Sequence, residues 1–270
     1  MFSAERELWS SPSILERRSQ VGPSNVAAQL QKSSLVTLPV RSGLLRATAD
    51  RLEGLRRSDG FDLVVDPKGD VTALVLQDPP GRNAQTPPLD RVLEAARNAL
   101  SDAAPMQQVV WAIQSELERA GGAELGLALA RVSQADSRVE VLNAGMPPIA
   151  CASADGVRVH VALSPALGRD RGHGHAYEVV PLIWNSTWVL CSSGLTGGSL
   201  LPETLHELCS HLDLGSRGAD LASCTPEELR HVLLTRHPEA GRFARGDSTI
   251  VLVCADPNAR LHSRISPAPS

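Results

Sequence analysis

Two β-branched runs, FDLVVD (Phe61 to Asp66) and VTALVLQD (Val71 to Asp78), flank the turn PKGD and predict a hairpin. A polar, proline-rich stretch, PPGRNAQTPP, follows, and the period then changes. LDRVLEAARNALSDA places Leu89, Val92, Leu93, Ala96 and Leu100 on one face, and MQQVVWAIQSELERAGG carries its own apolar stripe to a glycine pair. Both read as amphipathic helices. Short alternating runs then return: LGLALARV (Leu125 to Val132), SRVEVLNAG, VRVHVAL (Val157 to Leu163), YEVVPLI and TWVLCSS (Thr187 to Ser193). Two more helical patterns, LPETLHELCSHL and TPEELRHVLLTRH, precede a last strand, TIVLVCA (Thr249 to Ala255). The second of these helices opens on a capping box, Thr225 to Glu228, with Pro226 at its first helical position.

The order is two strands, two helices, five strands, two helices and a strand. Helices that come in pairs, apart from runs of hairpin-like strands, predict an α+β layered sandwich rather than a doubly wound sheet. Residues 1–34, rich in Ser and Gln and broken by Pro12 and Pro23, read as a flexible or regulatory arm, 35–256 as the domain, and 257–270 as a proline-bearing tail.

Composition adds little. With 42% hydrophobic residues but only 3% aromatics, the core has to be built from Leu, Val, Ile and Ala. A net charge of −4 without any block of like charges supplies no electrostatic reason to expect nucleic acid or an anionic membrane surface as partner. Glu5, Arg6 and Glu7 interrupt the place where a signal peptide needs an apolar run, so a cytoplasmic location is the expectation. Five cysteines without C-x-x-C spacing suggest neither a disulfide framework nor a zinc knuckle; Cys191 and Cys254, inside apolar runs, read as buried small hydrophobes.

Chemistry is signalled by carboxylates at strand ends. A hydrolase using two hard divalent cations needs such oxygen ligands, because a water bridging the cations becomes the nucleophile. Several short segments sit in a telling order: RSDGFDLVV, QDPPGRN, VLNAGMPPIA, SPALG, CSSGLTGG and RGDST. Together they resemble the motifs of the SpoIIE-type (PPM, protein phosphatase 2C-like) metal-dependent serine/threonine protein phosphatases, over nearly everything from Leu44 to Ala255.

That resemblance implies a four-layer α-β-β-α sandwich and a metal site. Asp59 matches the first metal-binding aspartate and Asp62 the trailing acid of the same motif, although the glycine pair before them is missing. Asp78 matches the second aspartate, Pro79 the position whose carbonyl faces metal, and Arg82 and Asn83 stand where the family has His and Gly. Asn143, Ala144, Gly145, Pro147 and Pro148 keep an architectural signature, with Met146 in place of His. Ser193 falls where a metal-binding aspartate belongs, and in the last motif Gly246 replaces the first aspartate while Asp247 keeps the second.

The activity is therefore left open between two classes. One is a phosphatase of bacterial phospho-signalling with weak or lost catalysis, binding Mn²⁺ or Mg²⁺ weakly or not at all. The other is a pseudophosphatase that binds its partner without hydrolysis, with Arg82 holding a phosphate through bidentate bonds. In both, the implied partner is a phosphoserine or phosphothreonine regulatory protein, such as an anti-sigma-factor antagonist. Blander readings stand beside these: Asp59 and Asp62 as solvated loop acids, Asp78 as part of a strand-ending turn, and His173 and His175 as solvated loop histidines.

Overall fold

The structure is a computed structural model that describes residues 39–52, 58–78, 88–168, 175–236 and 247–257. Two antiparallel sheets face each other. The six-stranded sheet runs in the order β1 (Val40–Ser42), β2 (Leu45–Leu52), β11 (Ser248–Ala255), β10 (Ser186–Cys191), β7 (Ile149–Ser153) and β8 (Gly156–His160). The five-stranded sheet runs β3 (Asp59–Val65), β4 (Val71–Gln77), β5 (Gly126–Ser133), β6 (Arg138–Ala144) and β9 (Glu178–Pro181).

Alternation along each strand sends one set of side chains between the sheets and the other toward a helix layer. The inner set is aliphatic: Leu45, Ala47 and Ala49 of β2, Phe61 and Leu63 of β3, Val71, Ala73 and Val75 of β4, and Val251 and Val253 of β11. Trp188 is the one large aromatic among its fully buried members. Outside the five-stranded sheet, α1 (Leu89–Ser101) and α2 (Met106–Arg119) cover Leu74, Leu76, Leu127 and Leu129 with the faces that their periodicity predicts. Outside the other sheet, α3 (Pro202–His211), α4 (Leu214–Leu221) and α5 (Pro226–Arg236) cover Val189, Cys191, Ile250 and Leu252. The result is the α-β-β-α sandwich. At the head of α5 the Thr225 N–H donates to Glu228 Oε2 (2.8 Å) and the Glu228 N–H donates to Thr225 Oγ1 (3.3 Å), closing the capping box.

Four described elements lie outside the sequence expectation: β1, β2, β7 and α4. The reason is visible in β2 and β7. LRATADRL and IACAS alternate correctly, but after Leu45 and Ile149 their inner positions are Ala47, Ala49 and Cys151 rather than large β-formers, and the outer face of β2 carries Arg46, Thr48 and Asp50. Those polar groups are buried because tertiary partners satisfy two of them: Arg46 pairs with Asp256 (3.1 Å) and Asp50 with Arg230 of α5 (2.7 Å).

The NAG-x-P-P segment is the passage between the sheets. Asn143 Nδ2 donates to the Pro147 carbonyl (2.8 Å), while Oδ1 accepts the Met146 N–H (3.1 Å). Gly145 has φ +68°, and a Cβ there would lie 2.8 Å from the Ala166 nitrogen, so a side chain is excluded on both counts. His175 is buried rather than solvated: its ring Nε2 lies 3.0 Å from Gln114 Nε2, and its carbonyl accepts from Gln107, both residues of α2. His173 lies outside the described residues.

Candidate functional site

Each inner row of the sandwich changes character at one end. Extending the alternation by one step takes Leu45, Ala47 and Ala49 to Arg51, Val71, Ala73 and Val75 to Gln77, and Trp188 and Leu190 to Ser192. Reading backward, Phe61 and Leu63 lead to Asp59, and Val251 and Val253 lead to Thr249. Strand register then brings these polar ends together. Arg51 pairs with Thr249, Asp59 with Gln77, and the Ser192 N–H donates to the Thr249 carbonyl (3.0 Å). The candidate site is this polar rim of the inter-sheet core.

Asp59 is fully buried rather than a solvated loop acid, and hydroxyls satisfy its carboxylate. Ser58 Oγ donates to Oδ1 (3.1 Å) and Thr249 Oγ1 to Oδ2 (3.1 Å). Burial pushes its pKa up from 3.8 to about 6, although hydrogen bonds from Ser192, Ser58 and Thr249 pull the other way; the nearby Asp247 charge raises it further. Asp247, 2% exposed, comes in from the opposite sheet and is tied to the same strand end. Its Oδ2 lies within reach of the successive N–H groups of Ser58 (3.3 Å) and Asp59 (3.4 Å), and its own N–H donates to Ser58 Oγ (3.0 Å).

A cation faces this pair. Arg51 Nε stands 3.8 Å from Asp247 Oδ2, an ion-pair distance, and Arg51 Nη1 donates to the Asp59 carbonyl (3.3 Å). Arg51 carried no signal in the sequence. Its strand is Ala-rich, and only the eight-residue register of β2 against β11 places it here.

Ser193 is held from across the sandwich. Gln77 Nε2 donates to Ser193 Oγ (2.6 Å) while Gln77 Oε1 accepts the Ser193 N–H (3.1 Å), so one carboxamide binds both polar groups of the residue. The turn after it presses on Asp247: a Cβ on Gly194 would lie 2.3 Å from the Asp247 carbonyl oxygen and 2.6 Å from Ser248 Oγ. Only glycine permits that approach.

Asp78 is half-buried, and its N–H donates to the Ser58 carbonyl (2.8 Å), so the strand ends carrying Asp59 and Asp78 lie side by side. The residue opposite Asp59 on the ladder is nonetheless Gln77. Asp62 points the other way, toward α1, where Arg97 Nε meets its Oδ2 at 2.6 Å. Pro79, Arg82, Asn83 and Gly246 lie outside the described residues.

No family model matches the sequence, and no curated protein matches it in sequence. The fold has clear counterparts among solved structures: it is the fold of the bacterial PP2C-type serine phosphatase domains. The RsbU and RsbW domains of a Mycobacterium tuberculosis protein superpose with a TM-score of 0.65 at 16% identity, covering 86% of this chain and 64% of that one. The PP2C phosphatase domain of SpoIIE from Bacillus subtilis, solved with a fragment of its regulatory domain, gives 0.57 at 14% identity, over 78% of this chain and 63% of that one. RsbX, solved in complex with magnesium, gives 0.54 at 14% identity, over 80% of this chain and 98% of that one. The chain thus spans somewhat less than two thirds of the length of the first two.

Magnesium in RsbX raises the question of whether this rim suits a pair of divalent ions. Such a centre needs several carboxylate oxygens free to coordinate. The described residues do not supply that set: no three His, Cys, Asp or Glu side chains gather to hold an ion. Both Asp59 oxygens accept hydroxyl hydrogens, Asp247 Oδ2 faces two backbone N–H groups and Arg51, and Ser193 is clamped by Gln77.

Proposed function

We propose that this chain is a SpoIIE/PP2C-type pseudophosphatase of bacterial phospho-signalling, which recognises a serine- or threonine-phosphorylated regulatory protein and hydrolyses it weakly or not at all. The observation that carries this reading is the Gln77–Ser193 clamp. Ser193 stands where the resemblance expects a metal-binding aspartate, and its neutral hydroxyl is engaged by an amide donor rather than turned toward a cation. A two-metal centre would lose there both a ligand and a negative charge, and with them the activation of water and the neutralisation of the transferring phosphoryl group.

The signalling setting is supported by the company of the fold, which includes RsbU and RsbW domains and a bacterial stressosome structure. Fold alone does not establish activity. Arg82, four residues beyond Asp78, is the side chain we assign to the phosphate, because a guanidinium offers planar, paired donors to two phosphate oxygens. Asp59, Asp78 and Asp247, with Pro79 through its carbonyl, are the groups that would meet any Mn²⁺ or Mg²⁺ that enters.

The test has two arms. Purified protein is assayed with an aryl phosphate in Mn²⁺, with and without chelator, and then for binding of a serine-phosphorylated anti-sigma-factor antagonist beside its unphosphorylated form. We expect no chelator-sensitive turnover, together with binding that Arg82→Ala weakens by about tenfold, the equivalent of one lost charged contact. Robust turnover abolished by chelator would overturn the proposal, as would failure to bind the phosphorylated protein.

A further inference from the structure

We infer that the guanidinium of Arg51 is the resident cation of the rim, filling for Asp247 the role that a divalent ion would fill in a metal centre. The inference concerns the same site as the functional proposal and rests on its reading that no two-metal centre operates there.

Three independent features of the fold place this charge. Register is the first: Arg51 sits opposite Thr249, whose hydroxyl donates to Asp59, so the guanidinium is delivered to the inner face beside the acids. Burial is the second. The Asp247 side chain is only 2% exposed and that of Arg51 22%, so solvent screens the 3.8 Å pair far less than it would a surface pair. The third is the anchorage of the strand from the other side. Arg230 of α5 grips both oxygens of Asp50 (3.0 and 2.7 Å) and also donates to the Arg51 carbonyl (3.3 Å). Arg230 acts through the backbone and is a positioning residue for Arg51.

An acid that enters a dry rim needs a counter-charge. For Asp247 the N–H groups of Ser58 and Asp59 supply partial charge, and Arg51 supplies a full one. A divalent ion approaching the same oxygens would meet that guanidinium at short range and be repelled. On this reading the rim differs from a metal centre in two linked ways: it lacks an acid at Ser193 and carries its own cation at Arg51.

The experiment compares wild type, Arg51→Gln, Arg51→Lys, Asp247→Asn and the double variant R51Q/D247N by thermal denaturation, with EDTA and with millimolar Mn²⁺. Gln keeps an amide donor for the Asp59 carbonyl but removes the charge; Lys keeps the charge. We expect R51K to melt near wild type and R51Q about 5 °C lower, because Asp247 then lacks its counter-charge, and Mn²⁺ to leave the wild-type melting temperature unchanged. We also expect D247N to rescue R51Q, the double variant melting above R51Q alone.

If R51Q alone does not fold, the double variant R51Q/D247N carries the test: recovery of a cooperative melt supports the pairing, and a double variant that is also unfolded overturns it. R51Q melting with R51K, a wild-type melting temperature raised by Mn²⁺, or additive effects of R51Q and D247N would overturn the inference. These failures are separable from failure of the functional proposal. A wild type without turnover but with additive variants sinks only the Arg51 assignment; strong coupling without phosphoprotein binding sinks only the functional reading.

Discussion

Replacing Asp59 by asparagine should make the protein more stable at neutral pH and should remove part of its pH dependence. Asp59 is fully buried, and its pKa stands at about 6 against 3.8 for the free side chain. An acid whose pKa is higher in the folded state binds its proton more tightly there than in the unfolded chain. The fold carries no penalty below about pH 4, where both states hold the proton, and loses stability as pH rises from there to about 6. Above that the penalty is complete. Two pKa units at 1.36 kcal/mol each amount to about 3 kcal/mol, of which about 2 kcal/mol falls between pH 4.5 and 7.5. Asparagine never ionises, and its amide can still meet Ser58 and Thr249, accepting one hydroxyl hydrogen and donating to the other oxygen. The gap between variant and wild type should therefore widen with pH, by about 4 to 8 °C in melting temperature over that range for a domain of this size. The assay is a series of thermal melts in EDTA from pH 4.5 to 7.5, with the carboxyl titration of Asp59 followed by carbon NMR. Parallel curves for the two proteins would refute the reasoning, since they would mean that Asp59 has the same proton affinity folded and unfolded.

Gly194→Ala should destabilise the fold by about 3 kcal/mol or more, because its Cβ would meet the Asp247 carbonyl at 2.3 Å and strand end and turn must separate; a urea melt measures it. Gln77→Ala leaves the Ser193 N–H and hydroxyl without their partner, costing about 1–3 kcal/mol, and should raise hydrogen exchange at the Ser193 amide selectively. The thiols should be unequal toward a thiol reagent at pH 8. Burial pushes Cys254 up to about 11 and Cys209 up to about 12 and raises Cys191, Cys151 and Cys224 as well, but Cys224 alone of the five is partly exposed. One thiol per native chain should therefore react readily and all five after denaturation; fast reaction of a second would show that a core strand opens.

Much of the architecture is legible in the sequence. The hairpin β3–β4, the helices α1 and α2 with their buried faces, and the capping box of α5 all follow from local period and turn chemistry, and each is present. Such features depend on neighbours a few residues apart, so a linear chain displays them. The strands β2 and β7 escaped because, after Leu45 and Ile149, their inner positions are Ala47, Ala49 and Cys151, which carry a weak β signal, and because the outer charges of β2 are tolerable only once Asp256 and Arg230 are beside them.

The candidate site divides in the same way. Asp59, Asp78, Ser193 and Asp247 stood out because they fall in short motifs. Which of them meet, and what else meets them, was decided by the pairing of strands that lie far apart in the chain: Gln77 reaches Ser193 across 116 positions and Thr249 reaches Asp59 across 190. Arg51 is the clearest case. Alternation within β2 determines that it shares a face with Ala47 and Ala49, but nothing local states that this face ends at Asp247. Side-chain direction along a strand is a property of the backbone and can be read from sequence; the identity of the neighbouring strand is a property of the packed core, and only the tertiary structure holds it.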